Sequence, residues 1–273
     1  MSAAPLPVPP LETRYLRDLG RAFAGALLFS IPLLMTMEMW RQGVAMDRGR
    51  LLLFVSAGLP LLYGLATYAG FDRRRGAVND LLDTGAALLV GGLTAGLLLT
   101  LFGILDWRAP HDVVGILALQ SIPAAMGALL ARRQLSADGG EGGEETNAYG
   151  GELFLMAAGA LFLALNIAPT EEMSVISYKT TTWHALVLML VSIAVLHGLV
   201  FSAGFAGQED ADHPRRALLD FTLPGYGIAL LVSLFVLFVF GRIEGHSLPG
   251  VLHTTVILGF PASIGAAAAR LLV

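Results

Sequence analysis

The chain contains no cysteine, and only 14% of its 273 residues are charged, against roughly 25% in a soluble domain. The first absence excludes disulfides, thiolate metal sites, iron–sulfur clusters and cysteine nucleophiles. The second excludes a water-solvated surface over most of the length, because the charges gather in short runs between long apolar stretches. A net charge of -4 gives no basic stripe, so nucleic acid is not an expected partner. Catalytic and conducting signatures are missing too: there is no Walker loop, no H-E-x-x-H, no G-x-S-x-G and no T-V-G-Y-G filter. No span carries the regularly spaced arginines of a voltage sensor. His184 and His197 have the thirteen-residue spacing that holds two haems in cytochrome-type bundles. That scheme needs two further histidines on a facing helix, and only His253 lies inside another span. No cofactor is expected.

What the sequence has in abundance is long apolar runs, with 55% hydrophobic residues. A bilayer core about 30 Å thick takes roughly 20 apolar residues as helix. Eight stretches qualify, at 20–40, 50–71, 82–105, 113–132, 152–170, 182–205, 217–241 and 249–271. The runs are continuous and far longer than a barrel strand. Backbone groups in lipid must bond within their own segment, which leaves helix. The expected fold is an all-α polytopic membrane bundle of eight transmembrane helices, with the lipid bilayer as its main partner. Pro5, Pro7, Pro9 and Pro10 mark residues 1–19 as a flexible arm. The first apolar run is too long for a signal-peptide core and is taken as a retained span.

The hydrophilic stretch 134–149 divides the chain near its middle, and the two sides match in order. S-I-P-A-A-M-G-A-L-L-A-R-R (121–133) matches G-F-P-A-S-I-G-A-A-A-A-R-L (259–271), aligning Pro123, Gly127 and Arg132 with Pro261, Gly265 and Arg270. Y-G-L-A-T-Y-A-G-F (63–71) matches H-G-L-V-F-S-A-G-F (197–205). L-L-D opens spans three and seven, and T-M-E-M (36–39) and T-E-E-M (170–173) close spans one and five. The expectation is a tandem 4+4 repeat, 20–133 and 150–273, whose even span number gives both halves one orientation.

With its acidic T-x-E-M-type span ends and P-x-x-x-G spans, the chain resembles an uncharacterised family of bacterial integral membrane proteins over most of its length. The resemblance implies an integral membrane protein and brings no assigned activity to carry over.

Orientation follows from the basic residues. Arg14, Arg17, Arg21, Arg73, Arg74, Arg75, Arg132, Arg133, Arg215, Arg216 and Arg270 fall on one side of the expected spans. Arg41, Arg48, Arg50, Arg108, Lys179 and Arg242 fall on the other. Eleven against six of the 17 puts both termini in the cytoplasm, with the bacterial inner membrane as the expected location.

The candidate site residues are the acids that recur in both repeats. Glu38, with Glu171 and Glu172, would form an oxygen-rich mouth together with Thr36, Thr170 and Asn166, suited to a hard cation or a proton. The plainer reading is a solvated acidic rim paired with Arg41 and Lys179. Pro32 and Pro169 would break the helices there and free carbonyls toward an ion. Asp83 and Asp220 occupy matching positions at the inner starts of spans three and seven, as an inner ion station or as acids complementing a helix dipole. His197 could relay protons or bond a neighbouring helix. The metal, if any, is not specified by these residues. The expected function is cation channel or cation/proton exchange, without enzymatic chemistry, by one chain or a homo-oligomer. The alternatives are a non-transporting accessory or scaffold protein and a lipid-modifying enzyme.

Overall fold

The computed structural model describes residues 11–69, 77–134, 149–202 and 218–271, and every regular element among them is helical. Residues 1–10 of the expected arm and 135–148 of the expected linker lie outside the described residues, as do the side chains of Arg132 and Arg270. The helices are α1 (Leu11–Leu34), α2 (Met37–Ala45), α3 (Arg48–Ala69), α4 (Ala77–Leu101) and α5 (Pro110–Gln134). The second half holds α6 (Tyr149–Ile167), α7 (Glu171–Lys179), α8 (Thr182–Ser202), α9 (Leu223–Val239) and α10 (Leu248–Leu271). Seven of these are long and apolar enough to cross a membrane, or eight if α1 and α2, bent by 83°, form one broken span. The chain is therefore an all-helical, multi-pass membrane protein.

Helix begins at Leu11, so residues 11–19 are the first turns of α1 rather than arm. From Leu11 to Ile31 no proline interrupts the ladder, and Pro32 lies near the end of the helix. A π-helical turn over Leu218–Thr222 opens α9. Pro224 explains it, because it has no N–H to give the carbonyl four residues back, and the chain rewinds around the gap.

Side-chain size sorts inside from outside. On α4, Leu89, Leu93 and Leu97 are 52–64% exposed on one face. The opposite face buries Thr84, Ala87, Gly91, Thr94 and Ala95. Lipid solvates leucine as well as a protein core does, so helices meet through small residues that let backbones approach. The fourth long helix of each half is the hub. α5 packs on α1, α2, α3 and α4, and α10 packs on α6, α7, α8 and α9. At the hub crossings a Cβ on Gly265 would land on the carbonyl oxygen of Gly159, and one on Gly127 would sit 2.5 Å from that of Gly25. The main contacts between halves are fewer: α3 meets α6 and α9, and α1 meets α6.

Candidate functional site

α1 and α6 are each followed, after a short break, by a nine-residue helix, α2 or α7; α6 is long enough to cross a membrane by itself, and the bent pair is α1 with α2. Thr36 and Thr170 are the N-caps, with extended backbones (φ -92, ψ 112 and φ -74, ψ 152). Neither hydroxyl caps its new helix. Each turns back, Thr36 Oγ1 donating to the Pro32 carbonyl at 2.6 Å and Thr170 Oγ1 to that of Ile167 at 2.9 Å. Met39 and Met173, three residues after the caps, are both buried and pin the short helices to the bundle.

The carbonyls released at the breaks are taken by the protein itself. Trp40 Nε1 donates to Leu34 O at 2.6 Å, and buried Gln120 reaches from α5 to Leu33 O at 3.3 Å. Arg242 donates to the Pro169 carbonyl. Asn166 spends its amide on Phe162 O at 2.7 Å. Indole, amide and guanidinium donors thus fill carbonyls at the two helix ends; Pro32 itself lies inside α1, and the carbonyls that Pro32 and Pro169 leave without an N–H four residues on are those of Leu28 and Leu165.

Both breaks adjoin the C-terminal end of α9. Gln42 of α2 donates to Phe240 O at 3.4 Å, while Arg242 grips the α6–α7 break. Arg242 also lies 3.5 Å from Glu171, so the cation beside that acid is neither Arg41 nor Lys179. Glu172 is exposed, and Glu38 is half-buried with no ion pair among the described residues. A second pair, Arg50 with Glu244, ties the start of α3 to the α9–α10 loop across the two halves. The sequence reading missed Arg242, Arg50 and Glu244 as a group. A basic residue directly after the helix-ending Gly241 (φ 68) was the available signal.

Beside this clasp the second half opens a polar cleft of about 570 Å³ between α7, the α9–α10 loop and the start of α10. Arg242, Glu244, His246, His253, Ser177 and Thr254 are among its walls. Its cause is a difference in spacing. In the first half α2 lies tight on α5, where a Cβ on Gly43 would come 2.6 Å from Ile116 Cα. In the second, Ser177 and Thr254 meet through hydroxyls 2.9 Å apart, which holds α7 off α10.

At the opposite end His197 Nδ1 and Thr222 Oγ1 are 2.9 Å apart, joining α8 to the π-helical turn that carries exposed Asp220. His197 is thereby tied to the turn that carries Asp220, a link that their separation in sequence did not show. Asp83 is half-buried in the second turn of α4, next to buried Thr84; the acid in the first turn is Asp80. The one buried acid among the described residues is Glu152, 5% exposed in the first turn of α6. Its position inside an apolar run was a signal that the repeat search passed over.

Among the described residues no three histidine, aspartate or glutamate side chains are placed to hold a metal ion. No curated protein and no solved structure shows significant similarity to the chain. Residues 18–273 match one family, over nearly the whole length and all the helices described above. The chain belongs to the family described as "Putative integral membrane protein (DUF2391)".

Proposed function

We propose that this integral membrane protein transports protons or a small hydrated cation and works without chemical catalysis. In this reading it is built from two copies of one four-helix unit in parallel orientation, with both termini in the cytoplasm of a bacterial cell. The pair of helix breaks carries the reading. Each break is followed by a threonine cap, an acid and a buried methionine: Thr36, Glu38 and Met39, then Thr170, Glu172 and Met173. The first break interrupts a span, and the second follows a full-length span at the matching position; transporters place their sites at interrupted spans. The duplication is supported by a second match: α4 and α9 end in the same way, at Gly103 (φ 70) and Gly241 (φ 68).

The donors at the breaks bear on which charge could pass. A dehydrated calcium ion needs six to eight oxygens. Here the carbonyls already accept protein hydrogens, and Thr36, Thr170 and Asn166 are turned onto their own helices. A proton needs one acid at a time, and a hydrated cation needs only negative potential. Half-buried Glu38 and the acids Glu171 and Glu172 meet those lesser requirements.

The test is flux into liposomes of protons, sodium, potassium and calcium, for wild type and a Glu38→Gln, Glu171→Gln, Glu172→Gln variant. Proton or monovalent-cation flux is expected, falling at least about tenfold in the variant, equivalent to about 1.4 kcal/mol of barrier. Equal flux in both proteins would remove the acids from the mechanism. Absence of flux for all four ions would favour the accessory-protein reading, which the internally filled carbonyls also suit; a single stoichiometric co-purifying partner is its own test.

A further inference from the structure

The seam between the two halves holds a groove of about 250 Å³, walled by Phe54, Ala57 and Leu61 of α3, Leu161 of α6, and Leu231 and Phe235 of α9. Every one of these side chains is apolar, and all lie within membrane-spanning segments. We infer that the groove holds one acyl chain of an anionic phospholipid, with the phosphate beside Arg50. This inference stands apart from the transport reading.

Length is the first argument. Arg50, Phe54, Ala57 and Leu61 follow one face of α3, and the eleven residues from Arg50 to Leu61 rise about 16 Å. Half of a bilayer core is about 15 Å. The groove and its charged rim therefore match the depth of a single leaflet.

Charge is the second argument. The Arg50 guanidinium lies 5.3 Å from the centroid of the Phe238 ring, one turn beyond Phe235, at the end of the groove. Its side chain is 25% exposed, so a headgroup can reach it. Its partner Glu244 is 62% exposed, on a loop between Gly241 and Gly245, whose φ values of 68° and 73° mark sharp turns. An exposed ion pair is weak. A phosphate can take two parallel hydrogen bonds from the guanidinium and leave Glu244 to water. Leu231, 69% exposed on the outer wall, leaves the side open for the chain to enter from the bilayer.

The experiment uses the full chain, delipidated in detergent and then given phosphatidylglycerol, phosphatidylcholine or inorganic phosphate. Native mass spectrometry reads the adduct and thermal unfolding reads its effect. One retained phosphatidylglycerol per chain is expected, preferred over phosphatidylcholine by about tenfold, with a raised Tm. Inorganic phosphate alone should leave Tm unchanged. Leu231→Trp and, on the facing wall, Ala57→Trp should each abolish the adduct; both positions are exposed, and helical circular dichroism verifies folding. Arg50→Gln should keep lipid binding and lose the headgroup preference. The inference is overturned by adducts that persist in both tryptophan variants, by equal retention of the two lipids in wild type, or by an equal Tm shift from phosphate. A dimer that Leu231→Trp dissociates would likewise overturn it and give the groove to a second copy of the chain.

Discussion

A missing Cβ sets how near two helices come at the centre of each half. Gly159 and Gly265 face each other so closely that a side chain on either would overlap the other's carbonyl oxygen. Backbone cannot step aside as a flexible side chain can. Gly159→Val or Gly265→Val is therefore expected to cost at least the 1–3 kcal/mol typical of overpacking. Gly198, also within a helix but with nothing inside 4 Å of where a methyl would stand, is the control. Gly198→Ala should be neutral or stabilising by roughly 0.5–1 kcal/mol, since alanine loses less backbone entropy in a helix. Thermal unfolding in detergent separates the two outcomes. Equal effects at both positions would mean that close packing at the crossing does not govern stability. Gly25 and Gly127 repeat the geometry in the first half, and Gly127 with Gly265 was visible in sequence as the P-x-x-x-G match. The partners Gly25 and Gly159 were not, because a glycine in an apolar run says nothing of which helix it will face.

At the scale of elements the short helices α2 and α7 are the distinguishing parts, and they are held by different means. Glycine-assisted packing on α5 secures α2, while α7 depends on Arg242, which donates to Pro169 O and neighbours Glu171. Arg242→Met keeps length and apolar volume but removes both ties. Amide exchange across Glu171–Lys179 should then rise about tenfold or more, the order expected for losing a hydrogen bond to a charged group, while exchange across Met37–Ala45 stays as in wild type. Unchanged exchange in α7 would show that buried Met173 and the Ser177–Thr254 hydrogen bond suffice to anchor it. Span boundaries were legible to within a few residues because lipid leaves hydropathy little choice: 182–205 was expected where α8 runs Thr182–Ser202. T-x-E-M also marked both breaks, while Pro32 lies inside α1, two residues before its end. The 83° bend after Leu34 was not legible, nor were the donors from Trp40, Gln120 and Arg242 that fill the opened carbonyls. Those depend on the register between helices distant in sequence, which composition and spacing do not encode. For the same reason the bonds that Thr36, Thr170 and Asn166 donate to carbonyls of their own helices were not readable from their spacing.

For the whole molecule, the proposed parallel duplication makes a demand on topology that the absence of native cysteine renders testable by single-cysteine labelling. In that proposal an even number of spans per half puts the α2–α3 and α7–α8 connections on one side of the bilayer, and the starts of α4 and α9 on the other. Asp47 and Lys179 are exposed at the first two places, and Val78 and Leu219 at the second two. In the orientation proposed above, the side of Val78, with its excess of arginine, is the cytoplasmic one. In intact cells an impermeant maleimide should therefore label Asp47→Cys and Lys179→Cys, and should reach Val78→Cys and Leu219→Cys only after permeabilisation. All four reversed would keep the parallel bundle and invert its orientation. Labelling of Asp47→Cys and Lys179→Cys from opposite sides would break the parallel arrangement itself. The acids of the two short helices would then face different compartments, and a shared transport site at the end of α9 could not exist.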